Sequence, residues 1–139
     1  MGRPPALAGD ALRGIHVLIV DDNADARELF RRILEYAGAL VAVTDSAAAA
    51  LHYTERLRPD VVVCDIVMPG HDGYWLLEQL RTAGTPPGAN GTAVPVIAVT
   101  AFAGEHPSAQ ALERGFTAYL PKPIDPAELC RSVKTAARR

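Results

Sequence analysis

Five strand-sized apolar runs, separated by segments long enough to be helices, constrain this chain more than any other feature. The first holds Ile15, Val17, Leu18, Ile19 and Val20 and stops abruptly at Asp21 and Asp22. A nearly continuous apolar run of that length suits a strand buried on both faces of a parallel sheet, where period-two alternation is lost. Residues 40–43 are short and rich in β-branched side chains and read as the second strand. Val61, Val62 and Val63 open the third, which ends at Asp65. Residues 95–99 form the fourth, ending at Thr100, and residues 117–120 the fifth, followed by Pro121, Lys122 and Pro123.

The intervening segments carry helix signals. Asn23 is placed to cap a helix whose apolar face is Leu29, Phe30, Ile33, Leu34 and Ala37, with Gly38 as its stop. Ser46 caps an alanine-rich stretch running through Leu51 towards Leu57, closed by Pro59. A loop marked by Pro69, Gly70 and Gly73 precedes a helix over 74–81. Residues 103–114 read as helical, with a start made irregular by Gly104 and Pro107. Asp125 caps the last helix, with Pro126 at its first position and Leu129 and Val133 facing inward. Five alternating β–α units imply an α/β domain: a parallel sheet, helices on both faces, right-handed crossovers.

Composition agrees with one packed domain. The chain has 139 residues, 49% hydrophobic and 22% charged, which is globular rather than disordered. A net charge of −2 gives no general attraction to nucleic acid or an acidic membrane, and the basic residues of 134–139 read as a solvated tail. The longest apolar runs are strand-sized, so no membrane insertion is expected. Residues 1–13 lack the apolar region of a signal peptide and read as a flexible leader to a domain over 14–137, and the expected location is cytoplasmic. Cys64 and Cys130 have no ligand-like spacing, so neither a disulfide framework nor a zinc site is supported. Both read as packing residues.

In an open α/β sheet, ligands bind at the carboxyl ends of the strands. Asp21 and Asp22, Asp65, Thr100 and Lys122 would all meet at that edge. Singly each is a weak signal, since an Asp-Asp pair or a strand-end threonine is commonly a turn or cap. Their joint placement is informative. Three neighbouring carboxylates repel, and a hard divalent cation removes the conflict; magnesium favours oxygen ligands and bridges carboxylates to phosphate. A carboxylate is a competent nucleophile towards phosphorus, while a hydroxyl and an ammonium can stabilise the transferring group.

The motifs Val17-Leu18-Ile19-Val20-Asp21-Asp22-Asn23, Asp65-Ile66-Val67-Met68-Pro69-Gly70-His71-Asp72-Gly73, Val99-Thr100-Ala101 and Tyr119-Leu120-Pro121-Lys122-Pro123 together resemble the receiver domains of two-component response regulators, over residues 15–135. The resemblance implies a flavodoxin-like (βα)5 fold with strand order 2-1-3-4-5. It implies Asp65 as phosphoacceptor, with Asp22, Asp65 and the backbone carbonyl of Val67 as ligands of Mg2+, for which Mn2+ can substitute. Asp21 would act on the metal through water. Thr100 and Lys122 would contact the phosphoryl group, the Lys122–Pro123 bond would be cis, and Thr100 and Tyr119 would form the switch that changes the surface of helix four, strand five and helix five. The implied partners are a histidine kinase or histidine phosphotransfer protein as donor and a downstream protein target. The chain would be a monomer or a phosphorylation-dependent dimer, acting as a regulator rather than an enzyme.

Two departures stand out. Residues 82–93 form a long loop rich in glycine and proline, on the sheet end away from the acidic site, and read as tolerated surface. Val67 and Phe102, each two residues beyond Asp65 or Thr100, are apolar and unable to orient an attacking water, so slow self-dephosphorylation is expected. His16, His52, His71 and His106 are too scattered for a histidine metal cluster, and of Tyr74 and Trp75 at least one should cover the core. Two other functions compete. An aspartate-nucleophile phosphohydrolase would ordinarily place a second carboxylate at position 67, where valine stands. A phosphorylation-independent receiver-like binding module could retain the fold, although all five polar residues are intact.

Overall fold

The computed structural model describes residues 10–82 and 93–137. Its elements alternate: β1 (His16–Val20), α1 (Ala24–Tyr36), β2 (Leu40–Thr44), α2 (Ala47–Leu57), β3 (Val61–Asp65), α3 (Gly73–Leu80), β4 (Val96–Thr100), α4 (Ser108–Glu113), β5 (Ala118–Pro121) and α5 (Pro126–Ala137). All strand pairs are parallel, in the order β2-β1-β3-β4-β5. Every residue of β3 and β4 is buried, which is why their sequences show no polar alternation.

Alternation survives as a choice between two apolar layers. Val17, Ile19, Val61, Val63, Ile97 and Val99 pack against Phe30 and Leu34 of α1 and Leu129 and Val133 of α5. Leu18, Val20, Val62, Cys64, Val96 and Ala98 face the opposite layer, with Ala50 of α2, Leu76 and Leu77 of α3 and Ala111 of α4. Both cysteines are buried and free, as packing residues. Tyr74 covers the core, whereas Trp75 is half-buried and stacks on His71 with ring centroids 3.8 Å apart. The caps at Asn23 and Ser46 accept from the backbone N–H groups of Ala26 and Ala49. Asp125 accepts from the N–H of Ala127. No helix among the described residues is long and apolar enough to cross a membrane.

Three features differ from the sequence reading. Leu12, assigned to the leader, is fully buried, and its N–H donates to the carbonyl of Ala37 at 2.8 Å. The packed unit therefore begins before residue 14; residues 1–9 lie outside the described residues, as do 83–92 of the expected loop. Helix α4 spans six residues instead of the twelve of 103–114. Pro107 has no N–H and disfavours helical geometry in the residue before it, so residues 102–106 close on themselves: the N–H groups of Glu105 and His106 both donate to the carbonyl of Phe102. Third, α3 begins at Gly73 and is capped by Asp72, whose carboxylate accepts from the N–H of Trp75 at 2.8 Å.

Gly73 explains how α3 can start so close to the end of β3. A Cβ there would lie 2.7 Å from the carbonyl oxygen of Asp65 and 2.9 Å from the Cα of Ile66, and the Gly73 N–H donates to the Ile66 carbonyl at 2.8 Å. Both obstructing atoms are backbone, so a side chain forces the strand end to move. Gly73→Ala should lower stability by about 1–3 kcal/mol, the usual cost of overpacking, measured by denaturant unfolding. Unchanged stability would mean that the strand end yields freely.

Candidate functional site

The carboxyl edge of the sheet gathers the polar residues. Asp21 and Asp22 follow β1, Asp65 ends β3, Thr100 ends β4 and Lys122 follows β5. Asp21, Asp22 and Asp65 each offer a carboxylate oxygen, and these oxygens lie within 4.8 Å of one another. Lys122 enters from the far side of the sheet: its Nζ lies 2.9 Å from Asp21 Oδ2 and 3.6 Å from Asp65 Oδ2. The Lys122–Pro123 peptide is cis.

Each side chain has a defined task. Asp21 is 1% exposed and uses both oxygens, one for Lys122 and the other accepting from the N–H of Asn23 at 2.9 Å. Asp22 is exposed and borders the open cleft with Asn23, Asp65 and Lys122. Asp65 accepts from the N–H of Val67 at 3.2 Å. The opposite wall is apolar: Val67, Met68, Pro69, Ala101 and Phe102. Thr100 is fully buried, and its hydroxyl oxygen accepts from the N–H of Phe102 at 2.9 Å. Tyr119 pairs with Ala98 in the sheet register, and therefore shares a face with Thr100; its hydroxyl donates to the carbonyl of His106 at 2.6 Å.

Some contributors were not visible in the sequence. Arg27, one turn into α1, donates from Nη1 to the carbonyl of Asp21 at 2.8 Å and so pins the turn that presents both aspartates. Its only signal was a basic residue shortly after the acidic pair. His106 matters through its backbone, which side-chain chemistry cannot announce.

Burial pushes the Asp65 carboxyl up to about 6; Lys122 and the Val67 N–H oppose the rise, while Asp21 and Asp22 add to it. Three clustered oxygens around a carboxyl that resists ionising fit a hard divalent cation, which would relieve both burdens. A folded-state pKa above the unfolded one favours the protonated form, so that contribution to stability is full at low pH and is lost as pH rises through about 6. Asp65→Asn, neutral throughout, should therefore exceed the wild type by about 1–3 kcal/mol near pH 8 without divalent ions, with the gap closing towards about pH 4. Parallel unfolding curves in chelator, across pH, measure it; a gap independent of pH would contradict the raised pKa.

Comparisons with known proteins place this geometry in a family. Residues 17–134 match the model of the response regulator receiver domain. An uncharacterized 14.6 kDa protein of Leptolyngbya boryana is 42% identical over 123 residues, covering 88% of this chain and 90% of that protein. The response regulator MprA of Mycobacterium leprae is 33% identical over 125 residues, 90% of this chain and 52% of MprA, so the chain spans about half the length of that relative. The receiver domain of a sensor histidine kinase of Pseudomonas aeruginosa PAO1, described with a magnesium ion coordinated in its active-site cleft, is 30% identical with a TM-score of 0.77, covering 91% of this chain and 99% of that one. With its sheet order, its acidic edge and a family match running from β1 into α5, the chain belongs to the response regulator receiver domains of two-component systems.

Proposed function

We propose that the chain is a phosphoacceptor switch in which Asp65 takes a phosphoryl group from a phosphohistidine on a histidine kinase or phosphotransfer protein. The observation that carries this reading is the meeting of the Asp21, Asp22 and Asp65 oxygens within 4.8 Å of one another, with the Lys122 ammonium 3.6 Å from Asp65. Asp22, Asp65 and the carbonyl of Val67 would hold Mg2+ or Mn2+, with Asp21 acting through water. The magnesium-bearing site of the related Pseudomonas receiver supports that assignment. Such a cation, when bound, neutralises the carboxylates and the incoming phosphate.

The residues of this chain divide the rest. A carboxylate oxygen of Asp65 forms the new O–P bond as the P–N bond to the donor imidazole breaks, and the imidazole departs with its electron pair and takes up a proton. Lys122 balances charge on the phosphoryl oxygens. Thr100 accepts one hydrogen bond from Phe102 and keeps its own proton to donate to the phosphoryl group. Drawing that hydroxyl inward opens space on the face it shares with Tyr119, which releases His106 and rotates in, altering the surface of α4, β5 and α5 that a downstream protein reads. Valine at position 67 leaves no second carboxylate for acid/base turnover, so the chain acts as a regulator. A phosphohistidine donor places the encounter in the cytoplasm.

Incubation with acetyl phosphate and Mg2+, followed by intact-protein mass, should show one phosphoryl adduct that is absent from Asp65→Asn and absent in chelator. No adduct from either acetyl phosphate or a phosphohistidine protein would replace this reading by a phosphorylation-independent binding module.

Val67 is 38% and Phe102 49% exposed, so both apolar side chains line the approach of water to Asp65. The adduct should decay over many minutes or longer, and Phe102→Gln, by offering water a partner, should speed its loss on the order of ten-fold. Rapid loss from the wild type would refute the apolar-shield account.

A further inference from the structure

The carbonyl of His106 accepts a hydrogen bond from the Tyr119 hydroxyl at 2.6 Å. A second tyrosine stands against the same residue. Tyr74, in the first turn of α3, has its ring centroid 6.0 Å from the ring of His106 and 5.4 Å from that of Phe116. The guanidinium of Arg114 covers it at 3.9 Å and pairs with Glu78 at 3.0 Å. Tyr74 is only 5% exposed, and its hydroxyl has no hydrogen-bond partner among the described residues. Phenylalanine would satisfy every ring contact without burying an orphan hydroxyl.

We propose that Tyr74 is a positioning residue of the switch, its hydroxyl taking over the His106 carbonyl when Tyr119 releases it. The inference rests on the phosphorylation reading above. At rest the neighbourhood holds a donor without an acceptor, on Tyr74. Rotation of Tyr119 towards Thr100 would leave an acceptor without a donor, on His106. The two deficits cancel if Tyr74 and His106 then bond, so the orphan hydroxyl raises the resting state and favours the switched one. The exchange also keeps α4 anchored. That helix has six residues and no side-chain cap; besides its buried Ala111, it is held by the Tyr119–His106 bond before it and Arg114 after it.

The test uses beryllofluoride with Mg2+ as a stable phosphoryl mimic, titrated by calorimetry, together with melting of the unliganded protein. Tyr74→Phe should melt at the same temperature as the wild type or higher, because it removes an orphan, yet bind the mimic about five-fold more weakly. In a Tyr119→Phe background His106 lacks that donor in both states, so Tyr74→Phe should no longer change the affinity. Equal affinity of Tyr74→Phe and wild type would overturn the hand-over, and so would a lower melting temperature of unliganded Tyr74→Phe, since the hydroxyl would then be bonded at rest. Failure of the wild type to bind the mimic would overturn the phosphorylation reading itself, and the hand-over with it.

Discussion

The crowding of three carboxylates at one sheet edge, answered by a single lysine, is the constraint on which the rest of the structure depends. Asp21, Asp22 and Asp65 repel one another at close range, and Asp65 additionally loses hydration on burial. Lys122 reaches Asp21 across a sequence separation of 101 residues and shares its charge with Asp65 as well. Backbone N–H groups of Asn23 and Val67 and the grip of Arg27 on the Asp21 carbonyl complete the support. The parallel sheet is what makes this possible, because it brings the ends of β1, β3, β4 and β5 to one side although they lie far apart in the chain.

Much of this was legible in the sequence because the relevant physics is local. The valine run of β3 has no polar alternation, and a strand without alternation must be covered on both faces. Asn23 and Ser46 sit where helices start, and their side chains cap those helices. Once five β–α units are counted, the strand ends are fixed, and with them the company that Asp65 keeps. Asp21, Asp22, Asp65 and Lys122 could thus be grouped without coordinates, and Thr100 placed beside them.

What stayed hidden depends on contacts between distant segments. Leu12 looks like part of a short, proline-bearing leader, and only the space beside Ala37 makes it a core residue. Residues 103–114 read as one helix with an irregular start, but Pro107 and the turn on Phe102 keep its first part out of the helix. Gly73 reads as a loop glycine; the requirement is the Asp65 carbonyl standing where a Cβ would go. At least one of Tyr74 and Trp75 was expected to cover the core, yet nothing in the sequence foretold that Tyr74 would bury a hydroxyl without a partner beside His106.

The strand order also distributes stiffness. β1 and β3 are flanked by strands on both sides, so the aspartates they carry stand on the most constrained part of the sheet. β5 is an outer strand, bonded only to β4, and it carries both Tyr119 and the chain into Lys122. The acidic half of the cleft is therefore a rigid platform, and its cationic and aromatic half is the compliant one. On the side of the cleft that holds Lys122 and Tyr119, a change of charge at the platform is passed to β5, one of the two outer strands of the sheet.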